Sequence, residues 1–249
     1  MEVLVHFKSD PGKCPYLPSE TASLEYRIIG EITEQGYAEL LRRGWRRFGR
    51  EFFRPACPGC AACQSIRIPV DRFAPSRSQR RALRSNAGIR TVVTRPTVSE
   101  DHLRLYHDYH AHMSDRKGWP LAPVSPAEYF SIFLVGSWSF AREFQYYEGE
   151  RLVGVSLTDV VPTALSSVYF FHDPAWRPRS PGVFSIIQQW LYAKQHSLAW
   201  QYLGYWVAAC PSMSYKSRYR PHELLVGFPG DHEEPVWVSS QGNAKGNSI

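Results

Sequence analysis

Apolar positions recur with two different periods along this chain, and the changes of period mark its elements. In EITEQGYAELLRRGW, Thr33 stands at a helix-cap position, Ile32 and Tyr37 take the staple positions and Gly44 closes the end, which predicts a short helix over 34–43. WRRFGREFFRP reads as a strand and SIRIPV alternates like a second one, so the segment between them makes a strand-to-strand crossing. In APSRSQRRALRSNAG, Arg77, Arg80, Arg81 and Arg84 recur at helical spacing while only Ala82 and Leu83 can bury. IRTVVTRP reads as a strand. Thr97 and Glu100 have capping-box spacing before a helix whose stripe is Leu103, Tyr106, His110 and Met113, and Ser125, Pro126 and Glu128 open another.

From Phe140 the period shortens to that of strands. REFQYYEGERLVGVSLTDVVPTALSSVYFFHDP predicts three strands with turns at EGE and VPTA. AWRPRSPG, a helix SIIQQWLYAKQH and a strand QYLGYWV follow. An antiparallel meander, a glycine-containing loop, a helix and a strand is the order of GNAT-type acyltransferase cores, so the fold class is α+β with a GNAT-like core. The expected division is a cysteine-containing α+β lobe over 1–95, a transfer domain over 96–238 and a flexible tail over 239–249, where periodicity ends.

Composition narrows the partners. A chain of 249 residues with 43% hydrophobic content can bury a real core, and a net charge of +6 favours an anionic partner. Aromatic residues make up 14% and interleave with arginine, a mixture that suits single-stranded nucleic acid, although packing explains most of those rings equally well. The arginines of 77–84, joined by Arg90 with no acid between them, form a phosphate-contacting surface on this reading, the alternative being a solvated basic helix. The chain shows neither an h-region nor a run long enough to span a bilayer, which points to the cytoplasm, where thiols stay reduced. Five cysteines fit a closed disulfide set poorly. Cys57, Cys60 and Cys63, with Cys14 as a fourth, have ligand-like spacing, with zinc and an iron–sulfur cluster both left open; the plain alternative is a tight turn with buried thiols. The four histidines His102, His107, His110 and His112 indicate no partner ligand.

CPYLPSETASLEYR, FFRPACPGCAACQSIRIPVDRFAPSRSQRR, SLTDVVPTALSSVYFFHDP and YLGYWVAACPSMSYKSRYRPHELL together resemble the protein aminoacyltransferases: arginyl-tRNA-protein transferases and their bacterial relatives, the aspartate/glutamate leucyltransferases. The resemblance covers about residues 10–228. It implies an enzyme that moves an amino acid, leucine rather than arginine, from aminoacyl-tRNA to the N-terminal amine of proteins beginning with Asp or Glu, marking them for degradation, with no cofactor required for the transfer itself. Leu17 stands where the eukaryotic arginyl enzymes carry a second cysteine, which shifts any metal toward Cys14, Cys57, Cys60 and Cys63. Arg179-Ser-Pro-Gly182-Val-Phe184 replaces the glycine-rich pyrophosphate loop of acetyltransferases, and Phe184 is expected to block coenzyme A there.

An activated ester needs alignment and charge management more than a strong base, since an α-amino group titrates near 7.7–8.0. Asp159 is the candidate to hold the incoming ammonium and relay its proton, and Tyr169 and Lys216 are candidates for stabilising the oxyanion. Arg67, Arg179, Tyr205 and Tyr219 are the substrate-binding candidates, Arg67 as the cation that reads an acidic acceptor. Arg218 and Arg220, interleaved with Tyr215 and Tyr219, join Arg77, Arg80, Arg81 and Arg84 as tRNA-binding candidates. Cys210 reads as structural, because direct aminolysis needs no covalent intermediate. Two rivals remain at this stage: a coenzyme A-dependent N-acetyltransferase on the same scaffold, and a metal-stapled RNA-binding module without catalysis.

Overall fold

The computed structural model describes residues 1–121 and 123–239; the expected tail beyond Ser239 lies outside them. Two sheets organise the chain. The smaller has four antiparallel strands in the order Glu2–Lys8, Leu24–Glu31, Glu51–Pro55, Arg46–Phe48. The larger has eight: Trp237–Ser239, Glu223–Leu225, Gln64–Pro69, Trp200–Trp206, Ala164–His172, Arg151–Val161, Ala141–Glu148 and Ile89–Thr94. Within it, the meander 141–172 is antiparallel, and helix Pro181–Gln195 carries the chain over to Trp200–Trp206, which pairs parallel with Ala164–His172. That is the expected GNAT-like order. The line drawn at residue 95 crosses this sheet, because Gln64–Pro69 and Ile89–Thr94 pair with strands from the later part of the chain.

Local chemistry explains most element ends. Thr33 accepts from the Gly36 amide and caps helix Glu34–Arg42. WRRFGREFFRP is a hairpin and not one strand: Gly49 turns the chain with φ +50°, and a Cβ there would lie 2.7 Å from the Ser131 carbonyl oxygen. The cap of helix Glu100–Lys117 is Ser99, two residues past the expected Thr97, which moves the buried stripe to His102, Leu105, Tyr106 and Met113. The box at Ser125 and Glu128 forms, but its helix Pro126–Tyr129 passes at once into a π-turn over Phe130–Leu134.

Apolar packing glues the sheets together. Helix Pro181–Gln195 buries Phe184, Ile187 and Trp190 on the larger sheet, beside Trp176 and Tyr146. Phe184 therefore points into the core, packing on Tyr146 and Trp176, and does not block the helix entrance as expected. A second cluster, with Tyr37, Leu41, Trp45, Phe52 and Phe140, sits between helix Glu34–Arg42, the smaller sheet and the meander.

Candidate active site

Between the two sheets lies a cleft of about 360 Å³. Tyr26, Arg46, Phe48, Glu51 and Phe53 line it from the smaller sheet, and Ser166, Gly204, Tyr205 and Lys216 from the other side. The smaller sheet's share follows from the Gly49 turn, which folds Arg46–Phe48 back on Glu51–Pro55 so that both strands reach the cleft. Glu51 is exposed and is the one carboxylate among the lining residues.

Asp159 is not in this lining. It is fully buried, where Tyr37 donates a 2.9 Å hydrogen bond to it and the Arg47 guanidinium grips it through both Nε and Nη2. Burial raises its carboxyl above the ordinary value, against the opposing pull of Arg47 and Tyr37. A carboxylate so enclosed cannot meet an incoming ammonium, so the expected role passes to no residue of SLTDVV. Tyr169 also stands behind the cleft, with its hydroxyl 2.9 Å from His110 Nε2 and its ring among Phe48, Phe133 and Tyr106. Lys216 does reach the cleft. Its ammonium donates to the Tyr205 carbonyl at 2.6 Å, and burial, then Arg46, push its pKa down to about 7. Tyr205 lines the cleft too, but its hydroxyl is spent on the Gly44 carbonyl at 2.8 Å.

Arg67 lies elsewhere. It pairs with Glu223 at 2.8 Å and is stacked between Trp200 and Trp237, so it holds the sheet edge and is no free cation for an acidic acceptor. Two residues missed in the sequence, Arg46 and Glu51, occupy the cleft instead. Both sit in the segment read as one strand, and nothing in a strand pattern marks which side faces a second sheet that is distant in sequence.

On another face, helix Arg77–Ser85 and the turn Pro174–Arg179 enclose a second cavity of about 390 Å³ at the start of helix Pro181–Gln195. Arg81, Arg179 and Arg218 line it, and Tyr219 adds a buried hydroxyl without a hydrogen-bond partner. Asn86 ties the walls: its amide donates to the Arg179 carbonyl at 2.8 Å and its oxygen accepts from Trp176 Nε1 at 2.6 Å. Arg179 pairs with Glu148 at 2.9 Å. Arg77, Arg80, Arg81 and Arg84 are exposed, and among the described residues none of them pairs with a carboxylate. Arg218 and Arg220 are exposed on the neighbouring segment. Of the expected basic residues, Arg81, Arg179 and Arg218 thus meet at this cavity, with Tyr219 beside them.

The cysteine loop carries the chain from the smaller sheet to the larger, as the crossing predicted. All five thiols are free. Burial, then the neighbouring Cys57, Cys14, Cys60 and Cys210, push the Cys63 thiol up to about 12. The Tyr16 and Leu17 amides donate to Cys14 Sγ at 3.4 Å, and the Ser23 amide to Cys57 Sγ at 3.4 Å. Yet among the described residues no three His, Cys, Asp or Glu side chains stand in a metal-holding arrangement. These thiols as placed do not make a ligand set, and no step below is routed through a metal.

Comparison with known proteins places these observations. Residues 12–81 match the family description "Arginine-tRNA-protein transferase, N terminus" and residues 101–226 match "Arginine-tRNA-protein transferase, C terminus". An aspartate/glutamate leucyltransferase from Helicobacter hepaticus is 37% identical over 96% of this chain and 99% of its own. One from Campylobacter jejuni is 39% identical over 86% of this chain and 90% of its own. Among solved structures, FemX aligns with a TM-score of 0.44 and 10% identity, covering 80% of this chain and 79% of that one.

Proposed function

We propose, from the premise that this chain belongs to the family of arginine-tRNA-protein transferases and aspartate/glutamate leucyltransferases, that the cleft between its two sheets is where transfer takes place. The enzyme is an aminoacyltransferase that moves leucine from aminoacyl-tRNA to the N-terminal amine of proteins beginning with Asp or Glu. The observation that carries the placement is that the cleft draws its lining from both family-matched segments, with Tyr26, Arg46 and Glu51 from the first and Ser166, Gly204 and Lys216 from the second. The two rival readings, an acetyltransferase and a non-catalytic RNA-binding module, lose their ground with the family assignment.

Chemically, the acceptor nitrogen attacks the leucyl ester carbonyl, an N–C bond forms, the bond to the ribose oxygen breaks, and the free 3′ end leaves with a proton. An α-amino group is partly neutral at neutral pH, so its last proton needs only a weak acceptor held in position. Glu51, at the exposed rim, is the carboxylate placed to hold that ammonium and take the proton. The basic surface of 77–84 with Arg218 and Arg220 is the counterpart of the acceptor stem, its cations meeting phosphates and its rings meeting unpaired bases.

The test mixes purified protein with leucyl- or arginyl-tRNA and peptides beginning with Asp, Glu, Asn or Lys. Leucine on the Asp and Glu peptides alone is the expected product; no transfer from either aminoacyl-tRNA, with thiols kept reduced under anaerobic conditions, overturns the reading.

Among the described residues no helix is long and apolar enough to cross a membrane. The cytoplasm, which supplies aminoacyl-tRNA, is the compartment we assign. Zinc or an iron–sulfur cluster on Cys14, Cys57, Cys60 and Cys63 stands as a separate proposal that rests on their spacing in the sequence alone, since the thiols as placed add nothing to it. Stoichiometric metal in anaerobically prepared protein, lost in a Cys57→Ser, Cys60→Ser double variant, would support it, and metal-free active protein would refute it.

A further inference from the structure

At the floor of the cleft two cations meet without a carboxylate. Arg46 is 6% exposed and donates to the Trp45 carbonyl at 3.1 Å, to Ser65 Oγ at 2.7 Å and to the Gly204 carbonyl at 3.3 Å, while its buried Nε has no hydrogen-bond partner among the described residues. Lys216 is 8% exposed and bonds only the Tyr205 carbonyl among the described residues. Both nitrogens face one bare backbone position. Gly204 has φ +82°, and a Cβ placed on it would lie 3.6 Å from Lys216 Nζ and 4.0 Å from Arg46 Nε. An atom entering there would therefore be in reach of both cations. Ser166, which stands beside Tyr202 on the paired strand and lines the same cleft, has a hydroxyl that is also buried without a partner. Carbonyl oxygens and the rings of Tyr202 and Tyr205 solvate Arg46 in part, but they do not neutralise two neighbouring buried charges. Cys63 and Cys210 act on Lys216 in the opposite sense and outweigh neither burial nor Arg46.

We infer that Arg46 and Lys216, across the bare Gly204, form the receptor for the side-chain carboxylate of the acceptor protein's first residue, and so set the preference for Asp and Glu. This inference rests on the reading of the cleft as the transfer site. The charge pattern selects this ligand over a phosphate of the tRNA. Glu51 at the rim repels an anionic backbone but suits an α-ammonium, and the same acceptor residue then presents its carboxylate inward to the two cations. Asn or Gln at that place offers no charge to the two basic side chains, and its amide N–H₂ finds no acceptor on the guanidinium. Lys216 is thereby a specificity residue and not the oxyanion donor expected from the sequence.

Transfer from leucyl-tRNA to Asp-, Glu-, Asn- and Gln-peptides, compared as kcat/KM ratios, tests the assignment in the parent protein and in Arg46→Gln, Lys216→Met and Gly204→Ala. Each ratio is read on the same folded molecules, so a loss of folded material scales both arms alike and leaves it unchanged. We expect the Asp:Asn and Glu:Gln ratios to fall by roughly ten- to hundredfold in Arg46→Gln and Lys216→Met. Gly204→Ala, which fills the gap between the cations, should lower both acidic substrates more than the amides. Where a variant turns over too slowly, the ratio is taken from peptide affinities measured by calorimetry. Ratios unchanged in Arg46→Gln and Lys216→Met overturn the receptor while leaving the transferase reading intact; a parent protein that transfers to none of the peptides defeats that reading itself.

Discussion

Replacing Asp159 by alanine is expected to lower the stability of the fold by about 3 to 5 kcal/mol, because it leaves the Arg47 guanidinium buried with no counter-charge. Asp159 and Arg47 are 0% and 4% exposed, so the unpaired guanidinium would be left largely out of water. Tyr37, also fully buried, loses its acceptor at the same time. For a chain of this length the change corresponds to a fall in melting temperature on the order of 10 °C, read by calorimetry or circular dichroism. Replacing the whole set by apolar residues of similar size, Asp159→Leu with Arg47→Met and Tyr37→Phe, should recover most of the loss, since a buried ion pair is often worth no more than good packing. If the alanine variant melts within 2 to 3 °C of the parent, roughly 1 kcal/mol, the pair contributes little to the stability of the fold.

The second large effect concerns RNA. Changing Arg77, Arg80, Arg81 and Arg84 together to glutamine should weaken the binding of leucyl-tRNA and reduce the slope of log K against log salt by roughly 3, close to one counterion released per phosphate contact. Stability should scarcely change, because the four side chains are exposed and pair with no carboxylate among the described residues. Two observations favour the proposed phosphate-contacting surface over a solvated helix: a cavity of about 390 Å³ opens beside it, and Arg81, Arg179 and Arg218 line that cavity from three separate segments. An unchanged slope would return the helix to the role of ordinary solvent-facing charge.

What could be read from the sequence follows the range of the interaction. Caps and turns act over a few residues, so the Thr33 cap, the box at Ser125 and the two turns of the meander stand where they were expected. Elements whose limits depend on a single torsion were harder: the Gly49 turn hides inside a run of strand-forming residues. The site was legible in part. Cysteine spacing and the basic helix each announced a locality, and of the three catalytic candidates Lys216 alone lines the cleft. Asp159 and Arg67 misled because their partners are far along the chain: 112 residues separate Asp159 from Arg47, and 156 separate Arg67 from Glu223. A charged residue in a motif shows that a charge is needed, without showing whether the chain itself already supplies the opposite one. Arg46 and Gly204 are 158 positions apart, and no local pattern could have put them side by side.

Through two hydrogen bonds, Asn86 ties the arginine-bearing helix to the turn ahead of helix Pro181–Gln195, so the walls of the hollow between them are joined before any ligand arrives. Were transfer RNA to dock there as proposed, less of the ordering cost would fall on each encounter, and the incoming strand would meet a finished mould.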